Sequence, residues 1–305
     1  NGLLTYSDRA AGEYKALDAS YRLVDTYRAG NGYTIDGHGI EIADNGHILL
    51  QIYDEQPVDM SQIVPGGRPD ATVIGVIIQE LDASRNVILE WRSWDHFALT
   101  DASDDIDLTA TGIRASHSNA AVWDNDGNIL VSFRNRDEIT KIDRRTADII
   151  WQMGGKRNEF AFVNEDRPFS HQHDVRRLPN GTMTLYDNGN NSLPQYSRGV
   201  EYQVDETSKT ITKVWEYRNQ PTDFFGRITG SVQRLSNGNT LINWGGDAGP
   251  FPFITEVKPD GSKALEMYFA SGERSYRTFR QSWKGDPNEP PTLVLVTHSV
   301  TGTLH

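Results

Sequence analysis

Residues 173–189 read HDVRRLPNGTMTLYDNG: a short alternating run, a turn carrying Asn-Gly, and a second apolar run. Asn-Gly or Asp-Gly between two such runs is the strongest local hairpin signal, because both central residues must tolerate positive φ. The same grammar returns in HGIEIADNGHILLQIYD (38–54), HSNAAVWDNDGNILVSFRN (117–135) and GSVQRLSNGNTLINWGG (230–246). The last three hairpins each lead into a third strand, EITKID, GVEYQVD or FITEVKPDG. A further strand follows that carries an aromatic near its end, at Trp91, Trp151, Trp215 or Tyr268. Four antiparallel strands repeated with a terminal aromatic describe a propeller blade.

The chain is therefore expected to be all-β: a β-propeller of five or six four-stranded blades, six favoured, in a single domain over residues 1–305. The runs LLTYSD, YRLVDTYRAG, YRTFRQSW and TLVLVTH supply the strands that complete and close the ring, and residues 55–72 read as an inserted loop. A sandwich of hairpins is the other all-β reading, but it gives no reason for turn and aromatic to repeat in register. The chain starts at Asn1 with no signal peptide and stops soon after a strand-like run, which reads as a processed product whose natural form continues past His305.

Composition narrows the function. A hydrophobic share of 37% with seven tryptophans supports a folded core. A net charge of −12 opposes nucleic acid, and no apolar run is long enough for a membrane span. With no cysteine, disulfides and thiolate metal sites are excluded. A small anionic or aromatic substrate remains open wherever arginines cluster locally.

In a propeller the first strand of each blade lines the central channel, and its start faces one mouth. Aligning the turns on Gly46, Gly127, Gly181 and Gly238 brings His38, Asn119, His173 and Gly230 to one level, with His117 two residues earlier. His38, His117 and His173 are thus the candidate catalytic histidines, suited to act as base, acid or nucleophile. Asn119, His171 and Gln172 are candidate substrate contacts, His171 from outside the strand as support, and His47 and His96 read as structural. Arg134, Arg176 and Arg198 are candidate anion holders; Arg176 faces the channel if no bulge follows His173. Tyr186, Gln233 and Trp244 are further candidate substrate contacts. HQH invites a zinc reading, but neither an acidic fourth ligand nor a helical motif accompanies it, and no metal is assigned.

These segments together resemble the arylsulfotransferase family, in its arylsulfotransferase-like branch. LLTYSD, HSNAAVWDNDGNILVSFRNRDEITKIDRRTADIIWQMGGK, FSHQHDVRRLPNGTMTLYDNGN, SRGVEY, GSVQRLSNGNTLINWGG and YRTFRQSWKGDP carry the likeness over most of the chain. The resemblance implies a secreted or periplasmic propeller that needs no dissociable cofactor. A histidine at its mouth would take a sulfuryl group from an aryl sulfate and pass it to a phenol. His117 and His173 would match two of the family's histidines, and Arg198 its anion-holding arginine. The resemblance also places the sulfuryl-carrying histidine in a later blade, yet residues 174–297 contain no histidine. The fourth repeat offers Ser231 and Gln233 instead.

Two other functions fit the residues. A polysaccharide lyase would cleave an acidic, uronate-containing glycan by β-elimination, using His117, His173, Arg198 and Tyr186 along an open groove. A non-catalytic ligand-binding propeller would tolerate a plugged channel.

Overall fold

The computed structural model describes residues 2–246, 251–270 and 272–287. Among these residues the strands form five sheets. Blade 1 holds β1 (Leu4–Asp8), β2 (Glu13–Leu17) and β3 (Leu23–Tyr27). Blade 2 holds β4 (Ile35–Ile42), β5 (Ile48–Val58), β6 (Ala71–Leu81) and β7 (Val87–Arg92), with β8 (Gly112–Ile113) added to β6. Blade 3 runs through β9 (Ser118–Trp123), β10 (Ile129–Phe133), β11 (Glu138–Ile142) and β12 (Ile149–Gly154). After β13 (Ala161–Val163), blade 4 comprises β14 (His173–Arg177), β15 (Met183–Asp187), β16 (Arg198–Asp205) and β17 (Thr210–Arg218). Blade 5 comprises β18 (Ser231–Arg234), β19 (Thr240–Asn243), β20 (Ile254–Val257) and β21 (Lys263–Met267).

The fold is a five-bladed β-propeller, where six blades were favoured. LLTYSD and YRLVDTYRAG do not seed separate blades, because both pair with EYKAL in the one sheet of blade 1. YRTFRQSW adds no strand to a sheet, and TLVLVTH lies outside the described residues. Instead, residues 276–281 run inside the channel beside β18. Gly230 N–H donates to the Tyr276 carbonyl at 3.0 Å, and Arg280 N–H donates to Gln233 Oε1 at 2.7 Å. Further along, Trp283 packs edge-on against Tyr21 and its Nε1 donates to the Gly2 carbonyl. The segment thus straps blade 5 to blade 1.

Apolar residues fill the gaps between successive blades. Trp91 and Phe133 pack between blades 2 and 3, Trp151 and Leu185 between blades 3 and 4, and Trp244 and Tyr186 between blades 4 and 5. Fully burying a large side chain of this kind contributes roughly 1.5–3 kcal/mol. Of the repeated terminal aromatics, Trp91 and Trp151 are buried, whereas Tyr268 on the last blade is exposed.

Two local readings need correction. In the hairpin turns only the glycines, Gly46, Gly127, Gly181 and Gly238, have positive φ. Each turn is a type I turn closed by a left-handed glycine, so the preceding Asn or Asp needs no special conformation. The stretch 55–72 is only partly a loop, because Glu55–Val58 continue β5 and pair with Ala71–Ile74 of β6. The hairpin so extended packs Met60 and Val73 against Ala102, Ile113 and Ala115 of the long connection after β7. Among the described residues no helix is long and apolar enough to cross a membrane.

Candidate active site

The inner strands β4, β9, β14 and β18 face one another around the channel. Three of them bulge at their heads: β4 between Ile35 and Ile40, β9 opposite Ser132 and Phe133, and β14 between His173 and Arg176. β18 pairs with β19 without a break. A bulge leaves one residue unpaired and re-aims its neighbours, and the three bulged heads are those that carry His38, His117 and His173.

These histidines line one mouth cavity of about 370 Å³ together with Arg114, Arg134, Arg227, Thr229 and Tyr276. Among the described residues the lining thus contains three arginines and three histidines but no carboxylate, in a chain of net charge −12. The His38 and His117 rings meet edge-on with centroids 4.9 Å apart. Arg134 donates to Asn135 Oδ1 (2.8 Å) and to the Arg227 carbonyl (3.1 Å), which aims its guanidinium across the mouth. Burial lowers its pKa to about 10, so it remains a cation at neutral pH.

His173 is held in one tautomer. Its Nδ1 faces two acceptors, Asn188 Oδ1 at 2.7 Å and the His171 carbonyl at 3.0 Å. The orientation of the Asn188 amide is itself fixed, since Nδ2 donates to the carbonyls of Gly226 (2.6 Å) and Thr229 (2.9 Å). On the other side of the ring, Nε2 accepts from Thr229 N–H at 3.2 Å. The proton therefore sits on Nδ1, and the Nε2 lone pair is taken by Thr229 N–H at the cavity wall. Burial, followed by the charge of Arg134, holds the His173 pKa well below its usual value, so the ring is neutral near pH 7. Thr229 is in the left-handed region at φ 61° and precedes Gly230 at φ 117°, a strained pair set against the histidine.

His117 has a different partner. Tyr53 Oη lies 2.8 Å from its Nδ1 and 3.4 Å from Nδ1 of His38, which in turn faces Asp36 Oδ2 at 3.0 Å. Burial lowers the His117 pKa well below the usual value, helped by His38, His173 and Arg134.

Four of the residues singled out from sequence, His38, His117, His173 and Arg134, meet at this cavity. The others lie elsewhere. Arg198 does not reach the mouth: its donors go to Asp187, Glu216, Glu165 and the Arg167 carbonyl, inside the outer part of blade 4. Tyr186 and Trp244 are core residues, joined by a hydrogen bond from the tyrosine hydroxyl to the Trp244 carbonyl. Gln172 is buried and donates to Ser132 Oγ and the Glu138 carbonyl, and its own carbonyl accepts from Asn119 Nδ2. The Asn119 carbonyl accepts from Tyr276 and Arg277, so this residue anchors the threaded segment. His171 sits behind the mouth with Asp105 and Asp137 each 3.0 Å from a ring nitrogen.

Arg176 and Gln233 line a second chamber of about 540 Å³, which also includes His38 and Tyr276. A bulge does intervene after His173, with Asp174 at φ 56°, and Arg176 pairs with Asp174 and Glu41. His47 bonds Glu80 beside Arg144, and His96 stacks on Trp91. Tyr53, Arg114, Arg227, Asn188 and Tyr276 are the site residues that sequence reasoning missed.

A family model described as arylsulfotransferase (ASST) matches residues 1–280. The chain belongs to the arylsulfotransferase family. Over 93 residues it is 37% identical to the arylsulfate sulfotransferase AssT of Escherichia coli O6:H1 (strain CFT073), and over 98 residues 33% identical to that of Lelliottia amnigena. These stretches take in 27% and 29% of this chain and 16% of either relative. Among solved structures, a streptogramin B lyase has a TM-score of 0.45 at 13% identity, covering 88% of this chain and 80% of its own. A Bacteroides caccae protein of unknown function has a TM-score of 0.43 at 13% identity, covering 88% and 93%. Likenesses this distant bear on no part of the mouth cavity.

Proposed function

We propose that the protein transfers a sulfuryl group from an aryl sulfate to a phenol, and that His173 carries the group. The supporting observation is the mouth itself: a neutral imidazole whose unprotonated Nε2 accepts from Thr229 N–H at the wall of a cavity lined, among the described residues, by three arginines and no carboxylate. A scaffold would not need a histidine fixed in one tautomer and kept neutral by burial. An anionic, planar substrate is what such a cavity suits, and its volume falls in the range of small-ligand sites.

In the first half-reaction the Nε2 lone pair bonds to sulfur and the S–O(aryl) bond breaks, leaving its electron pair on the departing phenolate. Arg134, Arg114 and Arg227 offset the charge on the sulfuryl oxygens. Thr229 N–H, displaced from Nε2 by the new bond, is placed to donate to one of them. In the second half-reaction an acceptor phenol attacks sulfur, its proton passes to solvent, and the electron pair returns to Nε2. Arg198 serves this site indirectly, by fixing Asp187, whose strand leads into Asn188. As in the family resemblance, the working compartment is taken to be periplasmic or extracellular.

The threaded channel is a feature that a ligand-binding propeller would share, and it keeps that reading as the second one. Neither the compact cavity nor the family match supports an acidic glycan. Turnover of 4-nitrophenyl sulfate with and without a phenol separates the two readings. Acceptor-dependent release of 4-nitrophenol that falls by at least about a hundredfold in His173→Ala is expected for a nucleophile. A folded protein with no turnover leaves the binding module.

A further inference from the structure

The cavity holds a second histidine whose protonation is set from behind, and this bears on how the leaving phenolate is stabilised. Asp36 Oδ2 lies 3.0 Å from His38 Nδ1, and its Oδ1 accepts the His38 backbone N–H at 2.7 Å. A carboxylate can only accept, so the His38 proton sits on Nδ1. Tyr53 Oη is within 3.4 Å of that same Nδ1, where it finds a donor and not a lone pair. The single proton of the tyrosine hydroxyl therefore goes to the shorter contact, Nδ1 of His117 at 2.8 Å. His117 consequently keeps its own proton on Nε2, a nitrogen with no partner among the described residues, on a ring that lines the cavity.

We propose that Tyr53, held by the His38–Asp36 pair, is a positioning residue that fixes His117 as its Nε2–H tautomer, opposite to His173. The cavity then presents one unprotonated imidazole nitrogen, released as Thr229 N–H gives way to sulfur, and one imidazole N–H to the same sulfate. This rests on the sulfotransfer reading and adds the group that meets the aryl oxygen. As His173 Nε2 bonds to sulfur, the S–O bond gives its electron pair to the aryl oxygen. His117 Nε2–H donates a hydrogen bond to that oxygen without transferring its proton. The phenolate takes a proton from solvent water on release. A neutral imidazole acting as a hydrogen-bond donor is an established way to stabilise a developing oxyanion. Burial and the neighbouring cations favour the neutral form of His117, and burial keeps Tyr53 protonated.

Nitrogen-15 NMR of the histidine-labelled full chain reads each tautomer directly, without any turnover. The expected spectrum shows His173 protonated at Nδ1 and His117 at Nε2, and Tyr53→Phe changes the second assignment but not the first. A wild-type His117 protonated at Nδ1 overturns the proposal, whether or not the variant folds. The kinetic counterpart compares donors. Tyr53→Phe should lower kcat/KM for phenyl sulfate, a poor leaving group, by about tenfold or more, while changing 4-nitrophenyl sulfate by only about twofold. Equal loss on both donors is what a merely structural tyrosine would give, and it overturns the proposal. Failure of the wild type to turn over any aryl sulfate would sink the sulfotransfer reading and leave the tautomer result standing.

Discussion

Arg198 shows how a residue can match a motif and still stand away from the chemistry. Its guanidinium is fully buried, and two of its carboxylate partners, Asp187 and Glu165, are also fully buried. Removing the cation leaves Asp187 with Arg167 and Glu165 with Lys213 and Tyr202, so Arg198→Met is expected to destabilise the fold by about 1–3 kcal/mol in urea denaturation. An arginine that served only to hold substrate would leave the denaturation midpoint unchanged. The sequence could not distinguish these roles, because the partners Glu165 and Glu216 lie on other segments and only the closed blade assembles them. Asn188 and Tyr53 were hidden for a different reason. Asn188 follows the end of β15 and Tyr53 lies midway along the extended β5, and in each hairpin that position comes level with the start of the first strand. Arg134, at the corresponding place in blade 3, was the one such residue that sequence reasoning singled out. The register of each hairpin was legible, and following it would have pointed to the other two.

At the scale of elements, the head bulges decide which side chains face the mouth. Arg176 was expected to face the channel in the absence of a bulge, but strict alternation along HDVRR puts it opposite His173, and it is the extra residue at Asp174 that brings both to cavities of the channel. Sequence patterns do not mark the bulges of β9 and β14, since neither Asn119 nor Asp174 is a glycine, whereas the β4 bulge holds Gly37 at φ 82°. Gly230 is more readable: a glycine between Thr229 and β18 suggests a backbone that other residues avoid. Its φ is 117°, and a Cβ there would lie 2.3 Å from the Tyr186 ring. Gly230→Ala should cost about 1–3 kcal/mol from backbone strain and more from the clash. It should also move Thr229 away from His173 Nε2. A thermal melt matching wild type would show that the strand head has room that the geometry denies.

At the scale of the molecule, the repeat made the propeller legible and the blade count less so. Counting terminal runs as partial blades overstated the ring, because three N-terminal strands share one sheet and the C-terminal segment enters the channel as a strap. The strap also brings Tyr276 to the floor of the mouth, a contact between distant parts of the chain that no local pattern encodes. Convergence of histidines from three blades is nonetheless what the propeller reading required, and His38, His117 and His173 do meet. On the proposed mechanism a sulfuryl group rests on His173 between donor and acceptor. Protein incubated with 4-nitrophenyl sulfate and no acceptor, quenched in alkali and peptide-mapped by mass spectrometry, tests this directly. The expected result is one sulfuryl group on the peptide containing His173, discharged by added phenol and absent from His173→Ala. A sulfuryl group mapped to His117, or turnover with no labelled peptide, would contradict it.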